Sequence, residues 1–329
     1  MERVTMADVA KEAGVSKSTV SQFLNKRYEY MGEETRRKIQ QAITELGYQP
    51  NYLARSLKQK RTSMIGIIVA NIKHRFSTEV SHAIEEYCYD ADIQAIVCNA
   101  DDDPVKEKKY IEMLMAKQVD GLIIFPTGKN IELYDSMIHA KYPVVFMDRK
   151  AGDINLPRIV SNNIESAYQA VEHFVKQGHT RISIVTQSLT ITPRAERVEG
   201  YKRCLEDYQI DWNEDYVINN PISDLQEELE KMFSSNHPPT ALLAGNDRVF
   251  LELLKFTKRK EMTIPDDFSL IVFDNIQYAA VSTPAVSTIS QPAAEMGRKA
   301  AELLLKQIQK EPVEAKEHVY PCELVIRET

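Results

Sequence analysis

The first fifty positions carry short apolar stripes set between capping residues, and the spacing predicts three helices. Thr5 is placed to cap a helix over Met6 to Ala13, with Asp8 three residues on and Val9 and Ala10 turned inward; Gly14 ends it. Ser16 caps a second helix, Lys17 to Leu24, in which Val20, Phe23 and Leu24 form one apolar stripe and Lys17, Ser18, Ser21 and Gln22 are left on the other face. Two helices joined through Gly14-Val15-Ser16 make a helix-turn-helix pattern. A third helix is expected from Glu33 to Leu46, with Ile39, Ala42, Ile43 and Leu46 at spacings of three and four and Gly47 as its stop. After the turn Tyr48-Gln49-Pro50-Asn51, Asn51 can cap a very short helix, Tyr52 to Leu57, ahead of the basic run Lys58 to Thr62. A helix that short is marginal alone and folds only when held, so it reads as a hinge.

From Met64 the period changes. Buried strands are expected at Met64–Val69, Gln94–Cys98, Gly121–Phe125, Val144–Met147, Arg181–Val185, Ala241–Ala244 and Leu270–Phe273. Amphipathic helices fall between and after them, near 77–91, 104–117, 130–140, 164–177, 195–208, 224–234, 247–260 and 292–310. Short apolar strands alternating with helices indicate an α/β architecture of parallel sheets covered on both faces. The polar segment Ile159 to Asn163 divides the strands four to three, which points to two α/β lobes facing across a cleft. Ligand loops then belong at the carboxyl ends of the strands.

Charge sharpens the division. Residues 1–62 hold twelve Lys/Arg against seven Asp/Glu, and the remaining chain holds 29 against 41, so a basic front precedes an acidic body. Phosphate attraction is local and screened over about 10 Å, which suits a nucleic-acid module attached to a body that does not bind nucleic acid. No apolar leader segment and no stretch long enough to span a membrane is present, so a cytoplasmic location is expected. Cys88, Cys98, Cys204 and Cys322 lie far apart without ligand spacing and read as free buried thiols, leaving no metal site and no cofactor.

The strand ends repeat one polar vocabulary. Asp148-Arg149 ends one strand, Asn246-Asp247-Arg248 another and Asp274-Asn275 a third, while Arg194 and Arg197 follow Val185. Short acceptors and planar guanidinium donors converging on a cleft suit a polyol held without catalysis. Signatures of nucleophilic, phosphate-loop, zinc-hydrolase or dinucleotide chemistry are missing, and His173 and His179 sit at a helix end where capping is the ordinary role. An Asp148 and Asp274 pair acting on glycosides would leave the front module without a purpose, so no enzyme and no catalytic residue is expected.

Over essentially its whole length the chain resembles the LacI/GalR family of bacterial transcriptional repressors. The resemblance rests on Val9-Ala10-Lys11-Glu12-Ala13-Gly14-Val15-Ser16 with Thr19-Val20-Ser21 and Asn25, and on Tyr48-Gln49-Pro50-Asn51 with Ala54-Arg55-Ser56-Leu57. It implies a helix-turn-helix domain over 1–50, a hinge over 51–62 and an effector-binding and dimerisation body over 63–329. The body would be similar to periplasmic sugar-binding proteins, with lobe 1 near 63–160 and 292–318 and lobe 2 near 163–289 and 321–329. Crossovers between the lobes would fall near 160–163, 288–292 and 318–321.

The family geometry puts the second helix in the major groove of a roughly palindromic operator bound by a homodimer. It implies that Lys17, Ser18 and Gln22 read base edges, that Ser16, Ser21 and Asn25 hold phosphates, and that Leu57, flanked by Lys58, wedges into the minor groove. It also implies a small sugar or sugar acid as effector, lined by Phe76, Asp148, Arg149, Arg194, Arg197, Asn246, Asp247 and Asp274, whose binding releases the operator. Arg149 and Arg197 could clamp a carboxylate or phosphate as well as hydroxyls, with Arg75, Arg194 and Arg248 as weaker candidates.

Two stretches depart from the family. Lys26 to Glu33 is about one residue longer than the usual loop and carries two tyrosines, and Lys73-His74-Arg75-Phe76 is more basic. A corepressor-dependent regulator of the same fold and a sugar receptor without DNA binding are the alternatives; the first sixty residues argue against the second.

Overall fold

The structure is a computed structural model that describes residues 4–29, 31–49 and 61–329. The proposed hinge helix, with Leu57 and Lys58, lies outside the described residues. The chain divides into two compact units, Met1–Thr62 and Ser63–Thr329.

In the first unit α1 (Met6–Glu12), α2 (Lys17–Leu24) and α3 (Glu33–Leu46) close over Val9, Ala10, Val20, Ile39, Ala42 and Tyr48. The expected caps form. Asp8 accepts from both the backbone nitrogen and the hydroxyl of Thr5 at 2.8 and 2.7 Å, and Ser16 Oγ accepts from Thr19 N at 3.1 Å. Gly14 makes the turn between α1 and α2 at φ +66°, a conformation that side chains with a Cβ rarely adopt. The longer loop before α3 is organised by Arg36. Its guanidinium donates to the carbonyls of Met31 and Tyr28 at 3.0 and 2.9 Å and lies over the Tyr28 ring, which packs edge-on against Phe23.

The second unit contains two six-stranded sheets. The first runs in the order β11 (Glu317–Tyr320), β5 (Arg158–Ser161), β4 (Val144–Met147), β3 (Gly121–Ile124), β1 (Met64–Val69), β2 (Gln94–Asn99), parallel throughout. The second runs β12 (Glu323–Val325), β10 (Ser287–Ser290), β9 (Ser269–Phe273), β8 (Ala241–Ala244), β6 (Ile182–Thr186), β7 (Val217–Asn219), with only β12 antiparallel.

Lobe 1 is covered by α4 (Arg75–Asp90), α5 (Pro104–Ala116), α6 (Ile131–His139) and α12 (Ala293–Ile308). Lobe 2 is covered by α7 (Asn163–Lys176), α8 (Thr192–Asp207), α9 (Leu225–Phe233), α10 (Asp247–Lys260) and the short α11 (Gln277–Val281). The chain passes between sheets after Ser161, Ser290 and Tyr320.

Seven of the twelve strands coincide with the apolar runs read from the sequence, because β1, β3, β4, β6, β8 and β9 are buried on both faces and β2 borders them. Ile159 to Asn163 is not the polar divider expected. Ile159 and Val160 are buried in β5 between β4 and β11, and the crossing follows the strand. Cys88, Cys98 and Cys204 are buried and Cys322 half-buried, all as free thiols.

Candidate recognition helix and effector cleft

On α2 the side chains of Lys17, Ser18 and Gln22 are exposed and aligned by helical spacing, a face that an outside surface can reach. Ser16 is exposed too, but its hydroxyl caps the helix and lies 2.7 Å from Ser18 Oγ and 2.8 Å from Thr19 Oγ1. Ser21 and Asn25 are half-buried, and the Asn25 amide nitrogen donates to its own helix at Ser21 O, 2.6 Å away. Asn25 therefore helps close the end of α2 with one N–H of its amide, and the second N–H and the oxygen are left for a partner outside.

In the second unit the strand ends bring the expected polar residues together. Asp148 and Asp274 follow β4 and β9 with φ of +69° and +82°, and Asp102, beyond β2, has φ +58°. Left-handed backbone is uncommon for residues other than glycine, and aspartate tolerates it best. Three such aspartates follow strands of both sheets, β2 and β4 in one and β9 in the other, and mark places where side-chain aim outweighs local comfort.

Lobe 1 supplies Arg149, whose buried guanidinium lies 2.7 Å from Asp102 Oδ1 and 3.6 Å from Asp148 Oδ2. Burial works against the Asp102 carboxylate, yet the charge and hydrogen bond of Arg149, helped by Arg194 and His74, hold its pKa below the ordinary value.

Lobe 2 supplies two buried arginines from α8. Arg197 donates from Nε to Asn163 Oδ1 at 2.9 Å and from Nη1 to Gly245 O at 2.6 Å, with its guanidinium carbon 3.5 Å from the centre of the Phe273 ring. Arg194 donates to Ser188 O and Gln187 Oε1 at 3.0 and 3.3 Å. Asn246 caps α10 by accepting from the backbone of Arg248 and Val249, both at 3.0 Å, and its amide donates to Gln187 Oε1 at 3.0 Å. Asp274 is buried, which pushes its pKa up against the pull of Arg197, and it accepts from Gln291 Nε2 at 2.5 Å.

Asp247 faces the other lobe. Its Oδ1 lies 2.6 Å from His74 Nδ1 and its Oδ2 accepts from Arg75 N at 2.9 Å. On another strand end Lys150 N donates to Thr192 Oγ1 at 3.0 Å, and Lys150 Nζ is 3.1 Å from Glu196 Oε1. The lobes are thus bridged at two places. In the basic run before Phe76, His74 is held by Asp247 and Arg75 lies 2.6 Å from Glu79. Phe76 itself is 7% exposed, packed into the lobe 1 core, and borders a cavity of about 110 Å³ shared with Arg75, Glu79, Asp274, Ser290 and Gln291.

The comparisons with known proteins converge on this architecture. A family model described as bacterial regulatory proteins, lacI family, matches residues 5–51, and one described as a periplasmic binding protein-like domain matches residues 171–329. A probable HTH-type transcriptional regulator, EndR of Paenibacillus polymyxa, is 46% identical over 307 residues, covering 92% of this chain and 90% of its own. The HTH-type transcriptional repressor PurR of Aliivibrio salmonicida is 34% identical and covers 92% of each chain. The chain belongs to the lacI family of bacterial regulatory proteins. In fold it is similar to the Lac repressor bound to ONPG in the repressed state, with a TM-score of 0.87 at 24% identity over 99% of each chain.

This lacI-family protein is accordingly a DNA-binding transcriptional regulator with a periplasmic binding protein-like body. Among the described residues no helix is long and apolar enough to cross a membrane. Four residues that shape the cleft were not singled out as site residues in the sequence: Asp102, Asn163, Gln187 and Gln291. Asp102 carried a signal, since it sits in Asp101-Asp102-Asp103 directly after a strand. Asn163 and Gln291 sit beside crossovers, and only the folded chain brings them to Arg197 and Asp274.

Proposed function

We propose that the protein binds a roughly palindromic operator as a homodimer, represses carbohydrate-related genes and is released by a small sugar or sugar acid held between the two lobes. The observation that carries the effector reading is that Asp102, Asp148 and Arg149 of lobe 1 and Asn246 and Asp274 of lobe 2 follow strand ends, with Arg194 and Arg197 of α8 close enough to act on their charges. Directional donors and acceptors from two walls suit a molecule with many hydroxyls, and such a ligand favours one lobe arrangement over another.

On the DNA side, exposed Lys17, Ser18 and Gln22 support base reading, with Ser16 and Ser21 beside the backbone. Asn25 can hold a phosphate through the amide N–H that Ser21 O leaves unused. Leu57, flanked by Lys58, keeps the minor-groove wedge role that the family pattern gives it. Gln22→Ala is expected to change discrimination among operator variants by ~1–3 kcal/mol. Equal weakening on operator and random duplexes, measured by fluorescence anisotropy, rules out base reading by Gln22.

Exposed Tyr87 and Tyr89 on α4, Val97 on the edge strand β2, and Val105 and Met113 on α5 support lobe 1 as the dimer surface. Two half-sites about one helical turn apart need two recognition helices, so sedimentation of the full chain is expected to give a dimer at operator-binding concentrations. A monomer there would remove the symmetric operator from the proposal.

A further inference from the structure

The three arginines of the cleft are not equivalent. Arg149 faces two carboxylates, at 2.7 and 3.6 Å. Arg194 and Arg197, near the start of α8, are 7% and 5% exposed and bond only uncharged oxygens: Ser188 O and Gln187 Oε1 for one, Asn163 Oδ1 and Gly245 O for the other. Among the described residues neither has a carboxylate within 4.0 Å. A buried cation with neutral partners is costly unless an anion completes it. Burial pushes the Arg194 pKa down to about 10 even though Asp102 pulls the other way, and Arg149 and Arg197 add to the fall.

The other acids do not supply the missing charge. Asp247 is held by His74 and the backbone of Arg75. Asp274 accepts from Gln291 Nε2 at 2.5 Å, burial raises its pKa, and it makes no ion pair with either arginine. Asp102 and Asp148 stand beside Arg149 on the opposite wall, at 2.7 and 3.6 Å, and neither makes an ion pair with Arg194 or Arg197.

We propose that Arg194 and Arg197 together receive a carboxylate of the effector, so that the ligand of this cleft is a hydroxyl-bearing monoacid, not a neutral sugar. Arg149, already neutralised, orients hydroxyls with Asp102 and Asp148. The proposal rests on the cleft being the effector site, and it assigns the anion to Arg194 where the sequence pointed to Arg149.

The test uses the full-length protein, with glucuronate and galacturonate set against glucose, galactose and glucose 6-phosphate in thermal-shift and calorimetric titrations. At least one uronate is expected to bind tenfold or more tightly than its parent sugar, and Arg194→Gln is expected to shrink that preference to threefold or less. The same substitution is expected to raise the melting temperature of the ligand-free protein, because it removes a buried charge that only the ligand completes. A purely structural arginine would lower it. The proposal is overturned if no uronate binds, if the parent sugar or the phosphate binds as tightly, or if ligand-free Arg194→Gln melts lower than the parent protein. A uronate that binds through Arg194 but leaves operator affinity unchanged upholds the ligand assignment and removes the regulatory reading instead.

Discussion

Arg197→Met is expected to weaken effector binding by a hundredfold or more, with Arg197→Lys recovering only a small part of the loss. The guanidinium is buried, donates in two directions to Asn163 and Gly245, and lies flat over Phe273. Lysine restores the charge but not the fork, and it cannot stack in the same way. Truncating a buried, hydrogen-bonded charge costs about 2–5 kcal/mol in comparable interfaces, which is the size expected here. The Gly245 carbonyl and the Asn163 amide oxygen also lose a donor that methionine cannot replace, a cost of roughly 1–3 kcal/mol that offsets the relief of removing a buried cation, so the free protein is expected to melt close to the parent. Calorimetric titration of the effector found in the screen, alongside thermal melting, separates the two effects. Binding by Arg197→Met within threefold of the parent protein would remove Arg197 from the site.

Gly200→Ala is expected to be among the most destabilising single-methyl changes available in this chain. Gly200 lies on α8 where it crosses α7, and a Cβ there would collide with the carbonyl oxygen of Ile164 and stand 3.1 Å from Ala167 Cβ. The obstacle is backbone and cannot swing away, so the helices must separate. Overpacking of this kind costs about 3 kcal/mol. At ~2–4 °C per kcal/mol for a unit of this size, the melting temperature falls on the order of 10 °C. Because α8 also carries Arg194 and Arg197, effector affinity is expected to fall with it. An unchanged melting temperature would show that α7 and α8 do not meet this closely.

These two positions illustrate what was legible in the sequence. Arg197 was visible because it follows a buried strand, and the sequence placed it in the cleft without its partners. Helix starts were legible because capping is local: Thr5 with Asp8, and Ser16 with Thr19, are decided within three residues. The central strands were legible because burial on both faces leaves a continuous apolar run. Strands β5, β7, β10, β11 and β12 were not, since Arg158–Ser161 and Ser287–Ser290 mix polar residues into buried pairings that only neighbouring strands justify, and β7, β11 and β12 lie at sheet edges. Pairings such as His74 with Asp247 and Arg149 with Asp102 join residues far apart in the chain, and no local pattern announces them.

The most direct measurement is operator affinity as a function of effector. Full-length protein is titrated onto a labelled palindromic operator by fluorescence anisotropy, with and without a saturating concentration of the ligand that stabilises it most in the screen, and ligand affinity is then measured with and without operator. Coupling of ~1–3 kcal/mol is expected, so that the ligand weakens operator binding roughly 5- to 150-fold and the operator weakens ligand binding by the same factor. Tighter operator binding in the presence of the ligand would make the protein a corepressed regulator, and equal affinity in both states would contradict control of DNA binding from the cleft.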